Sequence, residues 1–242
     1  MTIFRTAASA IADYFCLGVS LFWIGPLVVA LVVVPEFLQH IVEIQLGMFN
    51  GREAAHIAGN APLRWAFGYA KIAGLVLTFV ASARFWWCRM HGGRWYDPRQ
   101  IGWGRLLIGF FLFFAVGSIG ELFALATGTK APLAVSILFS LLSLPFLFVM
   151  LAGLFGDCAT PIRTLALKSW PWLMLLAILL PIGFAPLSWL HRMNHLWALG
   201  APDLTVWALM IFDALVVGLI ASFVGAALFV AYDRFHRSHG GA

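Results

Sequence analysis

Long apolar runs occur six times along the 242-residue chain, and short polar segments separate them. The runs cover residues 16–34, 66–87, 106–127, 132–155, 170–189 and 204–232. A helix needs about 20 mainly apolar residues to cross a hydrocarbon core ~30 Å thick. Because lipid offers the backbone no hydrogen-bond partners, runs of this length predict helices. The pattern therefore predicts an all-α, polytopic membrane protein: a single domain over residues 1–242, built as a bundle of six transmembrane helices.

The segment that follows the first run, residues 35–49, has an amphipathic period. Glu36, His40 and Glu43 share one helical face at positions i, i+4 and i+7, while apolar residues occupy the other faces. Asn50-Gly51 then provides a turn signal. We expect an amphipathic helix after the first span, which either continues that span or lies along the membrane interface.

The composition agrees with a chain that is solvated mainly by lipid. Hydrophobic residues make up 62% of the sequence and charged residues 10%, whereas ordinary globular proteins have about 25% charged residues. The three cysteines form no complete disulfide framework. These values exclude a soluble domain, a disordered chain and a secreted disulfide scaffold. They also argue against a nucleic-acid partner, because membrane topology accounts for the net charge of +5.

The distribution of basic residues predicts the orientation. Ten fall on one side of the predicted bundle: Arg5, Arg84, Arg89, Arg94, Arg99, Arg105, Arg163, Lys168, Arg234 and Arg237. Five fall on the other side: Arg52, Arg64, Lys71, Lys130 and Arg192. By the positive-inside rule, both termini face the cytoplasm of a bacterial-type inner membrane.

Ionisable residues inside apolar spans are costly and usually face a bundle interior or water. Lys71, Glu121 and Asp213 lie within predicted spans, and Glu36 caps the first. In the predicted orientation all four approach the outer leaflet. We expect an outward-facing ligand-binding or ion-pair cluster in which Lys71 pairs with Glu121 or Asp213. The alternative is a structural ion pair with the remaining charges extended to the membrane boundary.

Two groups of histidines raise the question of a metal. His40 and Glu43, with Glu36 on the same face, could supply an imidazole and carboxylates to a divalent ion, although amphipathic helices often have this arrangement without a metal. His191 and His195 share a helical face but have no second histidine-rich motif, so an interfacial helix is the simpler interpretation. The spans offer no well-placed axial haem ligand. The sequence therefore predicts no cofactor.

The segment between the second and third spans alternates arginines with aromatic residues. Its arginines are Arg84, Arg89, Arg94, Arg99 and Arg105. Basic and aromatic side chains together are typical of contacts with anionic lipid headgroups, and we predict that role for these five residues.

Two short segments carry a resemblance to a known group. The basic stretch Ala159-Thr160-Pro161-Ile162-Arg163-Thr164-Leu165-Ala166-Leu167-Lys168-Ser169-Trp170, before the fifth span, and the closing Tyr232-Asp233-Arg234 resemble six-span bacterial inner-membrane proteins. These are similar to the membrane domain attached to some glycerophosphodiester phosphodiesterases. The arginine- and tryptophan-rich loop and the Glu36–Glu43 face depart from that pattern. The resemblance implies a membrane module and assigns no catalytic residue.

The sequence leaves three functional hypotheses. The first is a non-enzymatic inner-membrane protein that handles lipids or other amphiphiles, or serves as a membrane subunit of an envelope complex. Its partners would be membrane lipids and other membrane subunits. The second is a small-solute or proton-coupled transporter that uses Lys71, Glu121 and Asp213. The third is a membrane enzyme with an interfacial site at His40, Glu43, His191 and His195, which requires the two segments to meet in space. No common catalytic motif supports an enzyme.

Overall fold

The computed structural model describes the backbone of residues 2–129 and 132–239, and side chains from residue 8 onward. Within these residues the secondary structure is helical, with no strand. Two basic residues that contributed to the predicted orientation, the Arg5 side chain and Lys130, lie outside the described residues.

Ten α-helices follow one another in the described chain. They are α1 (Thr2–Ile24), α2 (Pro26–Gln45), α3 (Arg52–Gly59), α4 (Pro62–His91), α5 (Trp103–Gly117), α6 (Ile119–Thr127), α7 (Leu133–Phe155), α8 (Ile162–Lys168), α9 (Trp170–Ala198) and α10 (Asp203–His239). By length and composition, five of them could cross a membrane: α2, α4, α7, α9 and α10. The pair α5 and α6 makes a sixth candidate if it counts as one span. The prediction of an α-helical membrane protein is therefore confirmed.

The first helical boundary differs from the prediction. The apolar run 16–34 is divided between α1 and α2 at Gly25, because Pro26 has no N–H to donate to the preceding turn and instead begins a new helix. α2 then continues through Pro35 to Gln45. Of the two alternatives for the amphipathic segment, the structure shows the first: the segment continues the apolar helix as the C-terminal half of α2.

The third apolar run is also interrupted. α5 and α6 meet at Ser118 with a bend of 47°. Gly117 and Ser118 form the kind of small, polar pair at which sharp helix bends commonly occur. The run 106–127 was predicted to be one continuous helix, and the structure divides it into two.

The chain forms two compact units. The first comprises Met1–Trp86 and Ile178–Ala227, and the second comprises Trp87–Ala177 and Leu228–Ala242. In the first unit, Val32 of α2 packs against Val217 and Ala221 of α10, with Leu75 and Phe79 of α4 beside them. These apolar contacts hold α2, α4 and α10 together next to the polar residues described below.

A glycine permits the close approach of α4 to α2 in the first unit. A Cβ atom on Gly74 would collide with the carbonyl oxygen of Leu31 and would lie 3.1 Å from Cγ of Pro35. One turn further along α4, the hydroxyl of Thr78 donates to the Gly74 carbonyl at 2.8 Å. The absence of a side chain at residue 74 therefore sets the spacing between these two helices close to the polar cluster.

Candidate functional site

A buried polar face on α2 forms one wall of the candidate site, in the first unit. Glu36, Gln39, His40 and Glu43 follow the spacing i, i+3, i+4 and i+7, and none is more than 2% exposed. The i, i+4 and i+7 positions of this face were predicted to form the polar side of an amphipathic helix. In the structure they form an interior face, which requires polar partners on neighbouring helices.

His40 lies at the centre of this face and contacts three carboxylates. Its Nδ1 atom is 3.0 Å from Oε2 of Glu43, and its Nε2 atom is 3.2 Å from Oδ2 of Asp213. The same Nε2 atom is 3.3 Å from Oε1 of Glu36. The imidazole therefore connects a carboxylate of α2 to the carboxylate that α10 contributes.

Asp213, which is fully buried, is surrounded by nitrogen atoms from α9 as well. Nδ1 of His191 lies 2.7 Å from its Oδ2 atom, and Nε2 of His195 lies 3.4 Å from the same oxygen. The Asn194 amide donates to its Oδ1 atom at 2.9 Å. Since His191, Asn194 and His195 lie at i, i+3 and i+4 on α9, one helical face supplies all three groups.

Two cations from α4 complete the cluster. Arg64 Nε donates to Oε1 of Glu43 at 2.8 Å, and Lys71 Nζ donates to Oε1 of Glu36 at 3.1 Å. Each cationic side chain is 22% exposed, while both carboxylates are fully buried. The cations thus connect the buried centre to a more accessible surface.

Three buried oxygen atoms of the cluster have no hydrogen-bond partner among the described residues: Oε2 of Glu36, Oε1 of Gln39 and Oδ1 of Asn194. Leaving such an atom unpaired costs roughly 1–3 kcal/mol, and more for a charged group. Their occurrence in one cluster indicates that this region has capacity for a further ligand.

A cavity of about 630 Å³ opens beside the cluster in the first unit. Its lining comprises Met48, Phe49, Ala55, Arg64, Lys71, His191, Arg192, Met193, His195, Leu196 and Leu199. Cationic and imidazole groups thus line the same space as apolar side chains, which is the combination expected of a site for a ligand with a polar and an apolar part.

The structure brings together three of the four residues predicted as an ion-pair cluster. Glu36, Lys71 and Asp213 belong to the same polar group in the first unit. Lys71 pairs with Glu36, not with the predicted Glu121 or Asp213. Glu121 is exposed on α6, in the second unit.

The candidate metal ligands His40 and Glu43 also lie in this group, with His195. Their ligand atoms all lie within 4.8 Å of one another. The two segments that the enzyme hypothesis requires to meet therefore do meet. The sequence analysis did not identify Gln39, Asn194 or Arg64 as members of the site. The two amides could have been found from spacing, because Gln39 lies three residues after Glu36 and Asn194 three residues after His191, on the same helical faces.

The five arginines predicted to contact lipid headgroups differ in exposure. Arg89, Arg94 and Arg99 are exposed, and their lipid contact stays a prediction. Arg84 is only 3% exposed, so its guanidinium is not available to a headgroup. Arg105 donates to three backbone carbonyls, those of Asp157, Cys158 and Thr160, at 2.6–2.9 Å. Its role in the second unit is therefore to hold a loop.

That loop has a carboxylate at its centre. Asp157 accepts hydrogen bonds from the amide and the hydroxyl of Thr160, at 3.0 and 2.7 Å, and from the Tyr232 hydroxyl at 2.7 Å. Burial alone would raise the pKa of Asp157, but these donors and the nearby His236 hold it below its usual value. All these groups satisfy one another, so the arrangement is a structural clamp.

Comparison of the chain with known protein families, with curated proteins and with solved structures found no match.

Proposed function

We propose that the protein is an integral membrane protein that binds an anionic amphiphile, with the headgroup in the cavity beside Arg64 and Lys71. One observation carries this proposal. A single cavity of about 630 Å³ in the first unit combines cationic side chains with an apolar lining. A phosphate or carboxylate headgroup matches the cations, and an acyl chain matches the apolar side chains.

Both cations retain donors for a ligand. Arg64 has five N–H donors, and its described hydrogen bonds use Nε and one Nη atom. Lys71 has three donors, of which Glu36 takes one. Arg192 is exposed at the same cavity. These groups therefore stabilise an anion without giving up the buried carboxylates.

Aromatic residues on α9 support a location at the membrane interface. Trp189 and Trp197 are each 52% exposed, and their rings form an edge-to-face pair with centroids 6.4 Å apart. Exposed tryptophans are enriched at the boundary between hydrocarbon and headgroups. Together with the distribution of basic residues, they support a bacterial-type inner membrane location with the cavity towards the outer leaflet and both termini cytoplasmic. This arrangement has six spans when α5 and α6 count as one.

Native mass spectrometry of protein purified in mild detergent tests the proposal. We expect wild-type protein to retain a lipid with an anionic headgroup. The double variant Lys71→Met with Glu36→Gln keeps the charge balance and removes one of the cations that line the cavity, so it should retain clearly less of that lipid. Arg52→Gln, which changes an exposed residue of α3, is the matched control and should retain it. Equal retention by all three proteins, or no retained lipid in wild type, contradicts the proposal.

A second candidate, proton-coupled transport of the bound amphiphile, is favoured by one observation. Glu43, His40 and Asp213 form a continuous chain of hydrogen-bonding groups, with distances of 3.0 and 3.2 Å. Such chains carry protons in membrane transporters. Movement of the retained lipid between leaflets of proteoliposomes, faster with a pH gradient in wild type but not in His40→Gln, would support this function. A rate independent of the gradient excludes it.

A further inference from the structure

We propose that His191, His195 and Asp213 bind a divalent transition-metal ion of the Zn²⁺ type beside the cavity. Two histidines and one carboxylate are an established ligand set for such ions, and they leave coordination positions open. This inference concerns different residues from the amphiphile proposal and does not depend on it.

The distances from Asp213 to the two imidazole nitrogens are close to the edges of a coordination polyhedron. Bonds of about 2.0–2.1 Å from metal to ligand place neighbouring ligand atoms roughly 2.9–3.4 Å apart in octahedral or tetrahedral geometry. Asp213 Oδ2 lies 2.7 Å from Nδ1 of His191 and 3.4 Å from Nε2 of His195. The three ligand atoms all lie within 4.8 Å of one another. Small side-chain adjustments would thus bring all three onto one ion.

The crowding at Asp213 supports a cation there. Three imidazole nitrogens lie within 3.4 Å of its Oδ2 atom: those of His40, His191 and His195. A carboxylate oxygen offers about two lone-pair sites, so it cannot accept from all three nitrogens if each carries a proton. A metal ion that replaces protons on the α9 imidazoles relieves this conflict.

The net charge of the cluster also favours a bound cation. Glu36, Glu43 and Asp213 contribute three negative charges, and Arg64 and Lys71 contribute two positive charges. With neutral imidazoles the cluster therefore carries one uncompensated negative charge. Buried charges require compensation. A divalent cation changes the total from −1 to +1, and an anionic oxygen at its open coordination position would then make the cluster neutral. Protonation of one imidazole is the competing explanation, and the experiment below distinguishes the two.

Among the side chains that the structure describes, two other groups could hold a metal: His40, Glu43 and His195, and Glu36, His40 and Asp213. The solvent exposure of its two histidines favours the triad of His191, His195 and Asp213. His191 and His195 are 26% and 23% exposed and line the cavity, so an ion can enter and keep a position open towards it. His40 and Glu43 are fully buried and fit the role of outer partners. A free anionic oxygen, such as that of a headgroup, would take the open position.

The buried amide of Asn194 provides the independent observation. Its Nδ2 atom donates to Oδ1 of Asp213, and its own Oδ1 atom is buried and has no hydrogen-bond partner within the described part of the chain. Hydrogen bonds of this kind orient metal-ligating carboxylates, and their loss typically lowers metal affinity about 10–100-fold. A water molecule held on the ion is a donor that would satisfy such an oxygen.

Titration with Co²⁺ tests the proposal, because Co²⁺ occupies zinc-type sites and its visible ligand-field absorption reports nitrogen and oxygen ligation. Full-length protein in detergent, stripped with EDTA and with no lipid added, should bind one Co²⁺ per chain and release it to Zn²⁺. We expect His195→Ala to weaken Co²⁺ binding by more than about 100-fold and Asn194→Ala by about 10–100-fold. His56→Ala, an exposed histidine of α3, is the control and should bind like wild type.

Stability of the wild-type protein provides a measurement that needs no variant to fold. A ligand that binds only the folded state raises the melting temperature, so Zn²⁺ should raise that of stripped protein while Mg²⁺ should not. The proposal is overturned if wild type shows neither saturable Co²⁺ absorption nor a Zn²⁺-dependent rise, or if His195→Ala binds with unchanged affinity. A protonated imidazole alone predicts those negative results. Neither Lys71 nor Glu36, the residues changed in the lipid-retention test, is a ligand of the proposed ion. The metal-binding result therefore stands or fails separately from the lipid-retention result.

Discussion

His40 and Asp213 are separated by 173 residues, yet Nε2 of the first lies 3.2 Å from Oδ2 of the second. Both side chains are fully buried. This contact joins the polar face of α2 to α10, and the α9 side chains of His191 and Asn194 join the same carboxylate. The polar centre therefore contributes to the packing of three helices as well as to a ligand site.

Asp213→Asn should destabilise the protein strongly. The amide is neutral, so the variant removes the negative charge that faces the imidazoles. Removal of one partner from a buried ionic group typically costs about 3–5 kcal/mol. We expect a clear fall in the melting temperature of the purified protein in detergent.

Asp203→Asn is the matched control for that experiment, because Asp203 is exposed in the first turn of the same helix. Its charge is placed to interact with the helix N-terminus, an effect of about 1 kcal/mol or less. Equal loss of stability in the two variants would show that Asp213 has no special role in the packing.

The Lys71–Glu36 pair predicts a difference between single and double variants. Lys71→Met leaves a fully buried carboxylate without its cation and should cost about 3 kcal/mol or more. Addition of Glu36→Gln removes that unpaired charge, so the double variant should recover much of the lost stability. Thermal unfolding of wild type, the two single variants and the double variant measures this coupling, and additive losses would argue against a direct interaction.

The helices of this protein could largely be predicted from sequence, because the length of an apolar run and the requirement for backbone hydrogen bonding in lipid leave few alternatives. The first run was predicted to be one span with a kink favoured at Pro26, and the structure shows a full break at Gly25 instead. The i, i+4 and i+7 spacing of Glu36, His40 and Glu43 was identified correctly. Whether that face is exposed to water or packed against protein could not be predicted from the sequence, because its burial depends on which residues of α9 and α10 lie opposite it.

Which residues form the site was also hard to predict, because the site depends on contacts between helices that are distant in the sequence. Lys71 and Asp213 were selected because charge inside an apolar run is rare. That criterion favoured Glu121 equally, although the structure places this residue on an exposed surface of α6. His191 and His195 lie near the end of an apolar helix and matched an interfacial segment. Only their distance from Asp213 distinguishes them from surface histidines.

Gly74→Ala should weaken the contact between α2 and α4. The added methyl group would collide with the Leu31 carbonyl oxygen, which belongs to the backbone and cannot rotate away. Overpacking of this kind typically costs about 1–3 kcal/mol. Gly59→Ala is the control, because a Cβ atom there has no neighbour within 4 Å. If the melting temperature falls no further in Gly74→Ala than in Gly59→Ala, the close approach of the helices is not required.

The hydrogen bonds of the Asp157 carboxylate predict that the folded protein loses stability in acid. Its pKa is lower in the folded protein than its ordinary value near 3.8, because burial is outweighed by hydrogen bonds from Thr160 and Tyr232. The unfolded chain therefore binds this proton more readily. The stabilising contribution is complete above the ordinary pKa and disappears as the pH falls through the lower, folded value. Asp157→Asn removes this contribution, so its melting temperature should lie well below that of wild type at pH 7. The difference should narrow as the pH falls below about 4, and a constant difference from pH 7 to pH 3 would contradict the assignment.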